Sequence, residues 1–152
     1  METASRKPPR FPLFLDLSGQ TCVIVGGGAI GARRARVLLD FGALVTVIDP
    51  APVSLPEGVR HLCRRYAPGD LDGAVLAVAA TGDREVNRQV GQDAKARGIP
   101  VSVADRQEEC TFFFPAVCRG DGLVAGIVSD GGDHAKTARA AQAVRKCLEE
   151  IT

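Results

Sequence analysis

With 152 residues, the chain is long enough for one domain of ordinary size and too short for two full ones. Hydrophobic residues make up 45% and charged residues 24%, with a formal net charge of +1, which is the composition of a soluble globular protein. A balance so near neutral lacks the concentrated basic face of a nucleic-acid binder, and no apolar run approaches the ~20 residues that would make the chain a membrane protein.

Residues 1–10 read as a disordered leader: polar, basic and proline-containing, without the apolar stretch of a signal peptide. The segment Phe11 to Leu17 (FPLFLDL) follows as an extended lead-in expected to pack on a sheet edge. Thr21 to Val25 is short, apolar and β-rich and runs into three glycines, so it reads as a buried parallel strand. After Gly28 the spacing turns helical, with Gly31, Ala35, Leu38, Leu39 and Gly42 on one face and Arg33, Arg34, Arg36 and Asp40 on the other, solvated one. Ala43 to Ile48 is the second strand, Val59 to Arg64 a weaker third, Ala74 to Ala80 a strongly buried fourth. A polar helix up to Arg97 and a strand over Pro100 to Ala104 complete the alternation, which implies right-handed crossovers and a parallel sheet.

The texture changes after Asp105. Thr111 to Val117 and Gly122 to Ser129 are apolar, β-rich runs joined by a turn at Arg119 to Asp121, a hairpin signal. A last helix is expected from about His134 to Glu150. The fold class is therefore α/β: a Rossmann-like domain over 11–108, then a small β-hairpin and helix over 109–152. A hairpin on so small a unit leaves apolar surface, and the expectation is that a homodimer contact covers it. The five cysteines are scattered, odd in number and free of any C-x-x-C pair, so they suggest a reduced, cytoplasmic chain with neither a disulfide framework nor a zinc site.

The strongest local signal is Gly26-Gly27-Gly28-Ala29-Ile30-Gly31, a G-x-G-x-x-G between a strand and a helix. Gly26 allows the tight turn, Gly28 lets the backbone approach a pyrophosphate, and Gly31 lets the helix pack close to the strand. The amides near Gly28, Ala29 and Ile30 favour an anion at the helix start. About twenty residues on, Asp49 ends the second strand, where a carboxylate accepts adenosine ribose hydroxyls and repels the 2′-phosphate of NADP. The expected cofactor is NAD. S-adenosylmethionine ranks below it, because its glycine turns lack the third glycine set into the helix.

FPLFLDL, GGGAIGARRAR, AATGDREVN, VSVADRQEECTFFFPA and SDGG before a final helix occur here in one order. Together they resemble the precorrin-2 dehydrogenase/sirohydrochlorin ferrochelatase module of siroheme synthases, over nearly the whole chain from Phe11 onward. The resemblance implies NAD-dependent oxidation of precorrin-2 to sirohydrochlorin, iron insertion as a further activity, a tetrapyrrole substrate, and dimerisation through the region after the Rossmann domain. It implies a key acid at Asp105, with Thr111, Phe112 and Pro115 downstream, and cofactor contacts at Ala29, Ile30, Pro50, Ala51 and Thr81. Asn87 belongs to the same stretch, with helix capping as its simpler role. The chain departs from the pattern at Ser102, where many relatives carry Asn. It departs again at Asp133-His134-Ala135, where Asp133 can serve as N-cap in place of the usual Ser-Pro. The alternative from another class is a non-catalytic NAD(H)-sensing regulatory domain, which would share the glycine turn and the acidic strand end.

Overall fold

The computed structural model describes residues 7–151, so most of the expected leader lies outside the described residues. The chain forms two compact units, one over Leu15–Phe113 and one made of the segment up to Phe14 with the chain from Phe114 on.

The larger unit holds five parallel strands in the order β3-β2-β1-β4-β5: β1 Thr21–Val25, β2 Leu44–Ile48, β3 Arg60–Leu62, β4 Leu76–Ala79 and β5 Val101–Val103. The register runs Val25 beside Ile48 on one side and Val25 beside Ala79 on the other. The chain moves outward from β1 in both directions, so the order reverses between β1 and β4. In open α/β sheets, ligands bind in the crevice at such a point, outside the carboxyl ends of the strands.

The central strands are covered on both faces, which is why they read as continuous apolar runs. On one face Val23, Val25, Ala77, Ala79, Val101 and Val103 join Val90 and Ala94 of α2 (Arg84–Ala96) in a single core. Helix α1 (Ala29–Asp40) buries Gly31, Ala35 and Leu38 and packs on β1 and β2. Ile24 and Val47 are completely inaccessible to solvent, and burying such a side chain contributes about 1.5–3 kcal/mol. Gly42 and Gly98, both at positive φ, close α1 and α2 with paired backbone bonds back into the last turn.

The smaller unit contains the antiparallel pair β6 (Ala116–Gly120) and β7 (Leu123–Ile127), and α3 (His134–Glu149). Its core is Cys118, Ala141 and Leu148, with Ala116, Ala125, Ile127 and Val144 packed against them. Asp133 caps α3 through the Lys136 amide at 3.0 Å.

Two local expectations change. The hairpin turn is Asp121-Gly122, not Arg119 to Asp121: both residues have positive φ, the type I′ geometry whose twist matches paired strands. The strand also starts later than the apolar run, because Thr111 is bound to the start of β5: its Oγ1 accepts from the Val101 amide at 2.9 Å and its own amide donates to the Val101 carbonyl at 2.8 Å. In the lead-in, Phe11, Leu13 and Phe14 are 86%, 71% and 71% exposed, and only Leu17 is buried.

Candidate functional site

A cleft of about 720 Å³ opens at the carboxyl ends of the strands in the larger unit. Its walls include Gly26 and Gly28, Asp49 and Pro50, and Thr81 to Asp83. These segments follow β1, β2 and β4, so the cleft sits at the reversal of strand order.

The three motif glycines are small for different reasons. A Cβ on Gly26 would lie 2.5 Å from the Ala80 carbonyl oxygen, and φ there is +104°. A Cβ on Gly31 would overlap the Gly26 carbonyl oxygen, so the helix can approach the turn only without a side chain. Gly28 has no such reason: its backbone is extended, and a Cβ would meet nothing within 4 Å. The chain itself leaves that space open.

The amides of α1 carry the same message. Helix α2 is capped by Asp83, whose carboxylate accepts from the Glu85 and Val86 amides, and α3 is capped by Asp133. Helix α1 starts at Gly28 with no side-chain cap and no acidic residue in its first turn. Unsatisfied amides and the positive end of the helix dipole favour an anion from outside the chain. An open space at Gly28 facing uncapped amides fits a pyrophosphate.

Asp49 reaches this turn directly. Its Oδ2 accepts from the Gly27 amide at 2.7 Å and its Oδ1 from the Ala51 amide at 2.8 Å, so one carboxylate fixes both the glycine turn and the chain after β2. Each oxygen keeps a second lone pair for a ligand hydroxyl. Gly27 has its own constraint, because a Cβ there would press on Val53.

On the far wall, Thr81 is fixed by Asn87, which is completely buried. The Thr81 amide and Oγ1 donate to Asn87 Oδ1 at 3.0 and 2.7 Å, and Asn87 Nδ2 donates to the Thr81 carbonyl at 3.0 Å. The local sequence suggests a helix-capping Asn87, but Asp83 is the cap and Asn87 ties the loop after β4 to α2.

Of the residues picked out from sequence, Gly26, Gly28, Asp49, Pro50 and Thr81 line the cleft together. Ala29 and Ile30 are exposed at the first turn of α1, Gly31 is buried beneath it, and Ala51 acts through its amide on Asp49. Asp105 stands two residues past β5, at the same edge of the sheet but outside the cleft wall. Arg84, the first residue of α2, holds Asp105 Oδ1 at 2.7 Å and also pairs with Glu109. Ser102 is buried and accepts from Arg34 at 3.2 Å. Burial pulls the Arg34 guanidinium below the usual arginine range, the opposite of what an exposed helix face would give.

Comparison with known proteins decides the family. Residues 13–116 match the NAD_binding_7 family, described as "Putative NAD(P)-binding". The chain belongs to this family. It is 44% identical over 126 residues to the siroheme synthase of Methylobacillus flagellatus, covering 79% of the chain and 27% of that protein. It is 45% identical over 134 residues to the siroheme synthase of Azotobacter vinelandii, covering 84% of the chain and 29% of that protein. The chain thus spans less than a third of the curated relatives it matches. Among solved structures it is similar to SirC, precorrin-2 dehydrogenase, with a TM-score of 0.72 and 25% identity over 93% of the chain and 72% of that structure. The resemblance drawn from the motifs and the α/β fold with its C-terminal hairpin both stand. Among the described residues no helix is long and apolar enough to cross a membrane.

Proposed function

We propose that this chain is an NAD-dependent precorrin-2 dehydrogenase, the dehydrogenase module of siroheme biosynthesis. The observation that carries the reading is one sheet edge holding both an anion cradle and an acid: the uncapped start of α1 with Asp49 beside it, and Asp105 past β5. The siroheme synthase relatives and the likeness to SirC supply the substrate class.

Oxidation of precorrin-2 to sirohydrochlorin removes one hydride and one proton. Bound NAD supplies the hydride acceptor. The amides of α1 hold its pyrophosphate, and Asp49 accepts the adenosine ribose hydroxyls, which favours NAD over NADP. Asp105 accepts the proton from the macrocycle. Arg84 fixes that carboxylate in place, and Glu109 on the other side of the guanidinium limits its swing.

The test follows NADH formation from precorrin-2 with purified protein, beside Asp105→Asn. Turnover in the wild type, and its loss by about 10²-fold or more in the variant with NADH binding intact, support the assignment. Cofactor binding without turnover in the wild type refutes it and leaves an NAD(H)-sensing domain. Metal uptake into sirohydrochlorin, followed in the same preparation, decides the chelatase activity separately.

The same reading includes a homodimer formed through the smaller unit. Val124 and Val128 of the β7 segment are 40% and 38% exposed, and Leu123 is 46% exposed. Sedimentation equilibrium of Val124→Glu/Val128→Glu against the wild type tests it: a dimer that becomes a monomer supports the interface, and an unchanged mass overturns it. Five unpaired cysteines support residence in the reducing cytoplasm, which fractionation with a tagged chain checks.

A further inference from the structure

The cleft continues past Asp49 to a wall that the proposed chemistry does not use. Tyr66, four residues after β3, and Gln89, in the second turn of α2, both line it. They are 23 residues apart in sequence and meet on one carboxylate. Tyr66 Oη donates to Asp93 Oδ2 at 2.8 Å, and Gln89 Nε2 donates to Asp93 Oδ1 at 2.9 Å. Burial and the Asp93 hydrogen bond push the Tyr66 hydroxyl well above the usual tyrosine range, so it remains a donor to Asp93.

The chemistry of this trio fixes the orientation of the glutamine. An ionised carboxylate only accepts, so Gln89 must turn its amino group towards Asp93. Its carbonyl Oε1 is then the atom left over, and no described residue donates to it. A ribose held on Asp49 carries its base into the same cleft, whose wall includes Tyr66 and Gln89. An adenine carries a 6-amino donor; a hypoxanthine carries an acceptor at the same position.

We propose that Gln89, oriented by Asp93 and Tyr66, reads the 6-amino group of the cofactor's adenine through Oε1 and makes the site selective for adenine over 6-oxopurines. The inference rests on dinucleotide binding in this cleft and is independent of precorrin-2 chemistry. Asp93 is a positioning residue: it touches no ligand and acts by holding the amide. An oxo group facing Oε1 sets two acceptors against each other and leaves both without a donor.

The test is fluorescence titration of the full chain with NADH and with reduced nicotinamide hypoxanthine dinucleotide, with AMP and IMP as displacing ligands. The wild type should bind NADH about tenfold or more tightly than the hypoxanthine form, and AMP should displace it better than IMP. Gln89→Met should weaken NADH and bind both dinucleotides alike, and Asp93→Asn should narrow the preference. The AMP/IMP comparison needs no variant, so a poorly folded Gln89→Met cannot hide the answer. Equal binding of the two dinucleotides by the wild type overturns the proposal, and so does a preference that survives Gln89→Met. A chain that binds neither form overturns the cofactor assignment with it, whereas binding without discrimination overturns this inference alone.

Discussion

Replacing glycines in the turn one at a time separates what the fold needs from what the ligand needs. Gly28→Ala places a methyl in space that no atom of the chain approaches within 4 Å. Alanine is a poorer N-cap than glycine by roughly 0.5–1 kcal/mol. Against this, removing a glycine restricts the unfolded chain and contributes about 0.4–1 kcal/mol of stability. The two effects nearly cancel, so the unfolding free energy of Gly28→Ala in urea should stay within about 0.5 kcal/mol of wild type. The same methyl occupies the approach path of the pyrophosphate, and a displacement of about 1 Å there should weaken NADH binding ten- to a hundredfold. Gly31→Ala should do the reverse in order of cause. Its Cβ collides with the Gly26 carbonyl oxygen, which is backbone and has no rotamer to yield. Overpacking of this kind costs about 1–3 kcal/mol or more, and binding falls because the turn is distorted. Urea unfolding followed by circular dichroism and NADH titration by fluorescence measure the two quantities independently. A Gly28→Ala chain that binds NADH as the wild type does would refute the reasoning, as would one that is as destabilised as Gly31→Ala.

Other predictions concern the residues around the turn. Asn87→Leu removes three hydrogen bonds to Thr81 and leaves part-buried backbone groups unpaired, so it should lower stability by about 2–4 kcal/mol in urea unfolding. Burial pushes the Cys22 thiol up to about 11, and Cys118 is equally inaccessible. In peptide mapping after alkylation under native conditions, Cys63 and Cys147 should therefore be labelled, and Cys22 and Cys118 only after unfolding. Arg64 grips Asp70 at 2.6 and 2.9 Å and holds its carboxyl below the usual range. A carboxyl whose folded pKa lies below its unfolded value of about 3.9 stabilises the fold above that value, and the contribution is lost as pH falls through the folded pKa. Asp70→Asn should accordingly be less stable than wild type near neutrality, and the two unfolding midpoints should converge on acidification below about pH 4.

The larger unit was legible in the sequence because its signals are local. Strands covered on both faces must be apolar throughout, so TCVIV, LVTVI and LAVA stand out without knowledge of their neighbours. The glycine turn is legible for the same reason, since its demands are set within six residues. What stayed hidden depends on residues far apart in the chain. The wall at Tyr66 becomes visible only when Asp93, 27 positions on, is known to meet it. Asp105 could be picked out by position, but Arg84, 21 residues earlier, could not be recognised as its partner. The exposure of the lead-in was not legible either, because FPLFLDL has the composition of a buried strand, and composition does not reveal that Phe11 and Phe14 stay exposed.

The bond from the Gly27 amide to Asp49 ties two properties together that could have been separate. A lineage drifting towards a phosphorylated cofactor would need to shed the negative charge after β2. Here the same carboxylate also holds the turn and the residue after Pro50, so a neutral replacement loosens the cradle before any new anion can be gripped. On the proposed reading of Asp49, one substitution is not enough to retune cofactor choice in this chain. An engineer who wants the phosphorylated form must first give Gly27 another acceptor and only then bring in a cation, because the opposite order passes through a chain that holds neither cofactor well.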